Sequence, residues 1–213
     1  MGIPWKARLL VFLFHRLYHE FSWAYDLVSY VVSGGQWRTW QRVALPFVRD
    51  GRVLEVAFGP GHLLVDLARR GLKCYGLDAS WQMVRAARHT LRRSQAVAHI
   101  CQGKAQQLPF PTNAFDTVVL TFPPEFVAEQ EALQELYRVT APGGRLLVVE
   151  GGRVLQPAFL GQLINRAYDF LGEPGDYSQS LDRYWRCGFQ VKLQEVRTGR
   201  GQAQLVVAEK PIT

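Results

Sequence analysis

Gly59 and Gly61, in the run Val53 to His62 (VLEVAFGPGH), are the first residues whose type and spacing suggest chemistry. Glycine takes backbone angles, and allows an approach to the main chain, that a Cβ would block. A glycine loop between a strand and a helix can therefore seat a ligand against the helix N-terminus. A plain strand-to-helix turn would account for the same two glycines. Asp78 adds weight: it ends the next strand-like run, in GLDAS, 17 residues beyond Gly61. There a carboxylate can accept hydrogen bonds from both hydroxyls of a ribose. Its simpler role is to cap the helix that follows, and the two roles can coexist with Ser80 beside it.

Other chemical constellations are sparser. Cys74, Cys101 and Cys187 lie apart, without CxxC spacing or paired histidines, so neither a zinc site nor a disulfide framework is indicated. His15, His19, His62, Asp26 and Glu125 are the candidates for a general base, and none stands out; His62 reads first as a helix-start residue. In TFPPEF, residues 121–126, Phe122 and Phe126 read as an apolar lining.

These residues need elements to hold them. From Arg52 the pattern is strand (Val53 to Ala57), loop, helix (Leu63 to Arg70) and strand (Lys73 to Leu77). A helix from Trp81 to Arg93 follows, then strands Ala98 to Gln102 and Thr117 to Thr121, and a helix from Glu129 to Thr140. Pro142, Gly143 and Gly144 break the chain before strand Arg145 to Glu150. Alternating strands and helices predict a doubly wound α/β sheet of parallel strands, with the ligand at the strands' carboxyl ends. Phe189 to Arg197 and Gln202 to Lys210, joined by Thr198–Gly201, read as a hairpin, so an antiparallel edge strand is expected last.

Upstream, residues 5 to 32 are helical in pattern and dense in aromatics, either as a cap on the main domain or as an interfacial helix dipping Trp5, Phe12 and Phe14 into a membrane. A second short helix is predicted from Gln36 to Phe47. The apolar run Leu9 to Phe14 is shorter than the roughly 7 to 15 residues of a secretory core and far short of the ~20 of a spanning helix. The chain of 213 residues, 48% hydrophobic and 20% charged, has the composition of a folded domain. Its net charge of +7 comes largely from arginine, including Arg85, Arg88, Arg92 and Arg93 on one helix. Such a face is either plain solvated surface or a site for an anionic membrane or nucleic acid.

VLEVAFGPG resembles motif I of the class I S-adenosylmethionine-dependent methyltransferases, GLDAS their next acidic motif, GKAQQLPFPTNAFDTVVL motif II and LYRVTAPGGRLLVVE motif III. GFQV through LVVAEKP is similar to their final hairpin. Tyr25 to Arg42, YDLVSYVVSGGQWRTWQR, is similar to the YD and G-x-x-x-x-W segment of the ubiquinone and menaquinone biosynthesis C-methyltransferases. The resemblance implies an N-terminal helical cap over residues 1–50 and a methyltransferase domain over 51–213. It implies a Rossmann-like, mainly parallel sheet of seven strands with a C-terminal antiparallel hairpin. S-adenosylmethionine would be the cofactor.

Carried onto matching positions, it implies that Glu55 lies near the methionyl amino group, that Ala57, Gly59 and Gly61 form the loop backing the cofactor, and that Asp78 holds the ribose. Ala79 and Met83 would border the adenine, Ala105 and Gln106 would lie opposite, Thr121 would close the far wall, and Tyr25 would approach the methionine end. Two residues depart from the pattern. Ala57 replaces the first glycine, tolerable if its φ is negative, and Lys104 replaces an acid that often meets the adenine amine. The acceptor implied is a small apolar, quinone-like or lipid-like molecule, with a cytoplasmic enzyme touching an anionic membrane peripherally. Nucleic-acid methylation and a non-catalytic scaffold of the same fold are the competing readings. No metal is expected.

Overall fold

A computed structural model of the chain describes residues 35–123, 129–154, 177–199 and 201–212. It opens with α1 (Trp37–Gln41) and a 3-10 turn (Arg42–Phe47). Then come β1 (Arg52–Val56), α2 (His62–Ala68), β2 (Lys73–Asp78), α3 (Trp81–Arg93), β3 (His99–Gln102) and β4 (Phe115–Thr121). The last elements are α4 (Gln130–Val139), β5 (Thr140–Val154), α5 (Tyr177–Arg186), β6 (Gln190–Thr198) and β7 (Gly201–Glu209). The predicted helix over residues 5 to 32, with Tyr25, lies outside the described residues.

The strands form one sheet in the order β3-β2-β1-β4-β5-β7-β6. β1 pairs in parallel with both β2 and β4, so the chain winds outward to β3 and then returns to the other side of β1. The α/β, doubly wound, mainly parallel sheet of seven strands is thus as expected. The reversal of strand order at β1 opens a crevice beyond the carboxyl ends of β1 and β4.

Apolar residues cover both faces, as a parallel sheet requires. Val53 packs with Leu63, Leu64 and Leu67 of α2 and Val84, Ala87 and Leu91 of α3, in a cluster that also takes in Trp40, Val43, Ala44 and Leu45. Leu54 and Val56, pointing the other way, join Leu133 and Leu136 of α4 and Tyr184 of α5. α3 is fixed at its start by Ser80, whose hydroxyl accepts the Met83 N–H, and Arg92 and Arg93 in its last turn suit the negative end of the helix dipole.

Two expectations need correcting. The last strand is not the edge: β7 sits between β5 and β6, antiparallel to both, and β6 lies outside it. The composition explains this, because Leu205 to Ala208 is an unbroken apolar run, all buried, whereas β6 interleaves Lys192, Glu195 and Arg197 with its apolar residues. β5 also starts earlier than expected, at Thr140, although its ladder breaks across Pro142 to Gly144 and resumes at Arg145, and a second irregularity falls between Val149 and Gly151. Gly143 absorbs the turn at φ +70.

Candidate active site

The loop after β1 is shaped by three left-handed residues. Ala57, Gly59 and Gly61 have φ of +57, +55 and +79. The two glycines are needed for different reasons. A Cβ on Gly61 would stand 2.8 Å from that of Ala87, so this glycine lets α2 pack close against α3. A Cβ on Gly59 would meet nothing within 4 Å among the described residues, so its bare backbone faces an open cradle. The condition under which Ala57 would be free of strain, a negative φ, is not met: Leu77 accepts its N–H at 2.7 Å, and the loop turns there as it would with glycine. A left-handed alanine costs about 1 kcal/mol. Ala57→Gly is therefore expected to raise the melting temperature by about 2–4 °C, and an unchanged melt would mean that the strain is absent.

Asp78 ends β2 fully buried, and its two oxygens accept from different backbone amides: Gly59 N–H at 2.9 Å and Ser80 N–H at 2.8 Å. It ties the glycine loop to the start of α3. Ser80, not Asp78, caps the helix. A carboxylate oxygen can accept more than one hydrogen bond, the capacity a ribose hydroxyl would call on.

Glu55, beneath the loop on β1, is wholly buried, and neither of its oxygens has a hydrogen-bond partner. Burial pushes its carboxyl well above the usual range; the charges of Asp78 and Asp66 add to this, and the Leu64 backbone amide opposes it. Leaving two buried acceptors unpaired costs on the order of 1–3 kcal/mol each, so the arrangement calls for a donor to arrive. An ammonium group would satisfy both oxygens and favour the ionised carboxylate. The residues present fit a ligand carrying ammonium and ribose.

Ala79 is exposed, and its carbonyl accepts from Gln102 at 3.0 Å. The Met83 side chain is wholly buried. Ala105 is buried, and Gln106 donates to Glu129 at 2.6 Å. Lys104 is exposed. His62 is the first residue of α2. Glu125 and Phe126 lie outside the described residues, as do His15, His19 and Asp26.

Across the crevice, α1 is fixed over the ends of β4 and β5. Gln41 donates to the Thr121 hydroxyl at 3.2 Å. Trp37 stacks on Phe122 with centroids 4.0 Å apart, and Trp40 meets it edge-on at 6.3 Å. Phe122 itself is left-handed at φ +50, held by its N–H to Val149 at 2.8 Å, the kind of strained conformation that gathers at functional sites. Arg42 and Arg38 tie α1 and the following turn to Asp66 of α2 at 2.8 and 3.1 Å. Burial alone would raise the Asp66 pKa, but the two arginines outweigh it and hold it low. Trp37 and Gln41 were not singled out from the residues; their signal was the likeness of the segment Tyr25 to Arg42, which covers both.

Residues 54–148 match the family described as the methyltransferase domain. The match, the sheet order and the loop geometry together support a class I S-adenosylmethionine-dependent methyltransferase. Among curated proteins it is similar to the ubiquinone/menaquinone biosynthesis C-methyltransferase UbiE of Pseudomonas putida, 35% identical over 166 residues, which are 72% of this chain and 61% of that one. The chain thus spans about three fifths of the length of the curated relatives it matches. Among solved structures it is similar to the YcgJ protein of Bacillus subtilis, with a TM-score of 0.64 at 17% identity, covering 82% of this chain and 99% of that one. It is also similar to phosphoethanolamine N-methyltransferase 2 of Haemonchus contortus in complex with S-adenosyl-L-methionine, with a TM-score of 0.62 at 15% identity, over 84% of this chain and 54% of that one. The match supports S-adenosylmethionine as the cofactor. Among the described residues no group of three metal-ligating side chains comes together, and no helix is long and apolar enough to cross a membrane.

Proposed function

We propose that this methyltransferase acts on a ring carbon of a small, apolar, quinone-like acceptor, working at the surface of an anionic membrane. The observation that carries the acceptor class is the aromatic wall of Trp37, Phe122 and Trp40 at the ends of β4 and β5, across the crevice from the glycine loop. The likeness to C-methyltransferases over 72% of the chain supports a carbon acceptor.

Bound S-adenosylmethionine supplies an electrophilic methyl group on its sulfonium, so the protein's work is to position the partners and exclude water. In this reading Glu55 receives the methionyl ammonium and Asp78 the ribose hydroxyls. Gly59 offers a surface with no side chain in the way. Ala79 and Met83 border the adenine with Ala105 and Gln106 opposite, and Thr121, oriented by Gln41, closes the wall beside the reacting methyl.

The Glu55 assignment has a sign. Because its pKa is raised in the fold, the folded ligand-free chain keeps a proton that the unfolded chain loses near the usual carboxylate pKa of 4.5. Stability of the free protein must therefore decline as pH rises above that value and through the raised one. Binding the cofactor's ammonium in that window should release the proton. Calorimetry of S-adenosylhomocysteine binding in buffers of different ionisation enthalpy reads this directly. Glu55→Gln is expected to abolish the release, weaken binding about tenfold or more, and remove the pH-dependent loss of stability. Binding undiminished in Glu55→Gln would reject the ammonium assignment. For the acceptor, a labelled methyl group should appear on carbon of a prenylated quinol with an unsubstituted ring position; label on oxygen alone, or on RNA alone, would overturn that class.

A further inference from the structure

Trp81, Arg85, Arg88 and Arg92 follow one another along α3 at intervals of four, three and four residues. On a helix of 3.6 residues per turn they form a single stripe. All four are exposed, while Met83, Val84, Ala87 and Leu91 turn into the core. Six other arginines have carboxylate partners: Arg38 and Arg42 on Asp66, Arg49 and Arg145 on Glu209, Arg138 on Glu135, and Arg183 on Glu150. Arg85, Arg88, Arg92 and the neighbouring Arg93 have none among the described residues, and α3 contains no acidic residue. Among the described residues the positive charge of this stripe is uncompensated.

The surface beside it is apolar. Trp81 is 47% exposed, with the Arg88 guanidinium 5.2 Å from its ring, and Val97, just past the helix, is 77% exposed. Between α3 and the edge strand β3 runs a groove of about 860 Å³ that includes Arg88, Arg92, Val97, Ala98, Ile100 and Phe110 in its lining. A merely solvated helix has no need of an exposed indole and an apolar trough next to its arginines. A phosphate backbone would use the guanidinium groups and leave the trough dry and empty. A lipid surface uses both: guanidinium groups sit at the phosphates, an indole sits at the headgroup boundary, and acyl chain fills the trough.

We propose that α3 docks this protein on a membrane of anionic phospholipids, with the Trp81–Arg92 stripe at the level of the phosphates. α3 begins three residues after Asp78, so the Trp81 end of the stripe lies at the carboxyl ends of the strands, while Arg92 and the groove lie toward their amino ends. Docking gives a physical route to a lipid-soluble acceptor but stands on different residues, and it is tested without cofactor or acceptor.

The test is co-sedimentation of the full chain with phosphatidylcholine vesicles, with and without one-third phosphatidylglycerol, at low and high salt. Binding should require the anionic lipid and fall with salt. Arg88→Gln/Arg92→Gln should lower the partition coefficient about thirtyfold, at about 1 kcal/mol for each arginine near an anionic surface. Lys192→Gln/Arg197→Gln, with the same charge change on β6 at the far edge of the sheet, should lower it much less. An equal loss in both variants, or none in the first with its melting temperature unchanged, overturns the proposal. So does salt-sensitive binding to single-stranded RNA that only the first variant loses, in the absence of vesicle binding. Cofactor calorimetry on the same variants separates a failure here from a failure of the methyltransferase reading.

Discussion

Asp78→Ala is expected to weaken S-adenosylhomocysteine binding by at least about 100-fold and to lower the melting temperature as well. Two losses combine. The buried N–H groups of Gly59 and Ser80, now bonded at 2.9 and 2.8 Å, would both be left without acceptors, at about 1–3 kcal/mol each. The ribose would lose the carboxylate that accepts from its hydroxyls. Asp78→Asn is the sharper probe, because it keeps the shape but must turn an NH2 toward one of two amide donors. It should retain more stability than the alanine variant and still bind poorly. An asparagine variant with wild-type affinity would show that the carboxylate is not part of the cofactor site. Isothermal calorimetry and thermal melting on the two variants provide both readouts.

Gly152→Ala is expected to be the most damaging single methyl group in the described chain. A Cβ at this position in β5 would lie inside contact distance of the Trp40 ring, which is itself almost fully buried. Either the strand moves or Trp40 leaves its seat in the core. Overpacking of this kind costs about 3 kcal/mol, or roughly 10 °C in melting temperature for a chain of this size. Because Trp40 carries α1, the same change should loosen Gln41 from Thr121 and Trp37 from Phe122, and so erode the acceptor wall. Trp40→Phe made in the Gly152→Ala background should recover part of the loss. If instead the two substitutions add independently in a double-mutant cycle, the contact is not the cause.

The sequence made the glycine loop and its tie to Asp78 legible because the demands on them are local. A glycine loop, a carboxylate at the end of the next strand and the spacing between them are all set within some 25 residues. Glu55 needed the resemblance for its role, and its lack of any partner emerges only when the fold buries it. The acceptor side was harder to read because it is assembled at long range. Gln41 and Thr121 are 80 residues apart, and Trp40 and Gly152 more than 100. Neither pair has a periodicity to betray it. The left-handed turn at Ala57 could not be read for a related reason: residue size suggested tolerance, while the conformation was decided by the bond to Leu77 on the neighbouring strand. The order of the last two strands could have been read from the residues, since a continuous apolar run belongs inside a sheet and an interrupted one at its rim.

That strand order bears on how the protein is made. β7 is the latest strand in the sequence, yet β5 and β6 each hydrogen-bond to it and not to each other. While a ribosome is still synthesising residues 201–209, the nascent chain carries β5 with one flank bare and β6 with no place to dock. The interval should be a demanding one for chaperones, and a stop codon just after the hairpin turn should yield an aggregating product, not a smaller enzyme.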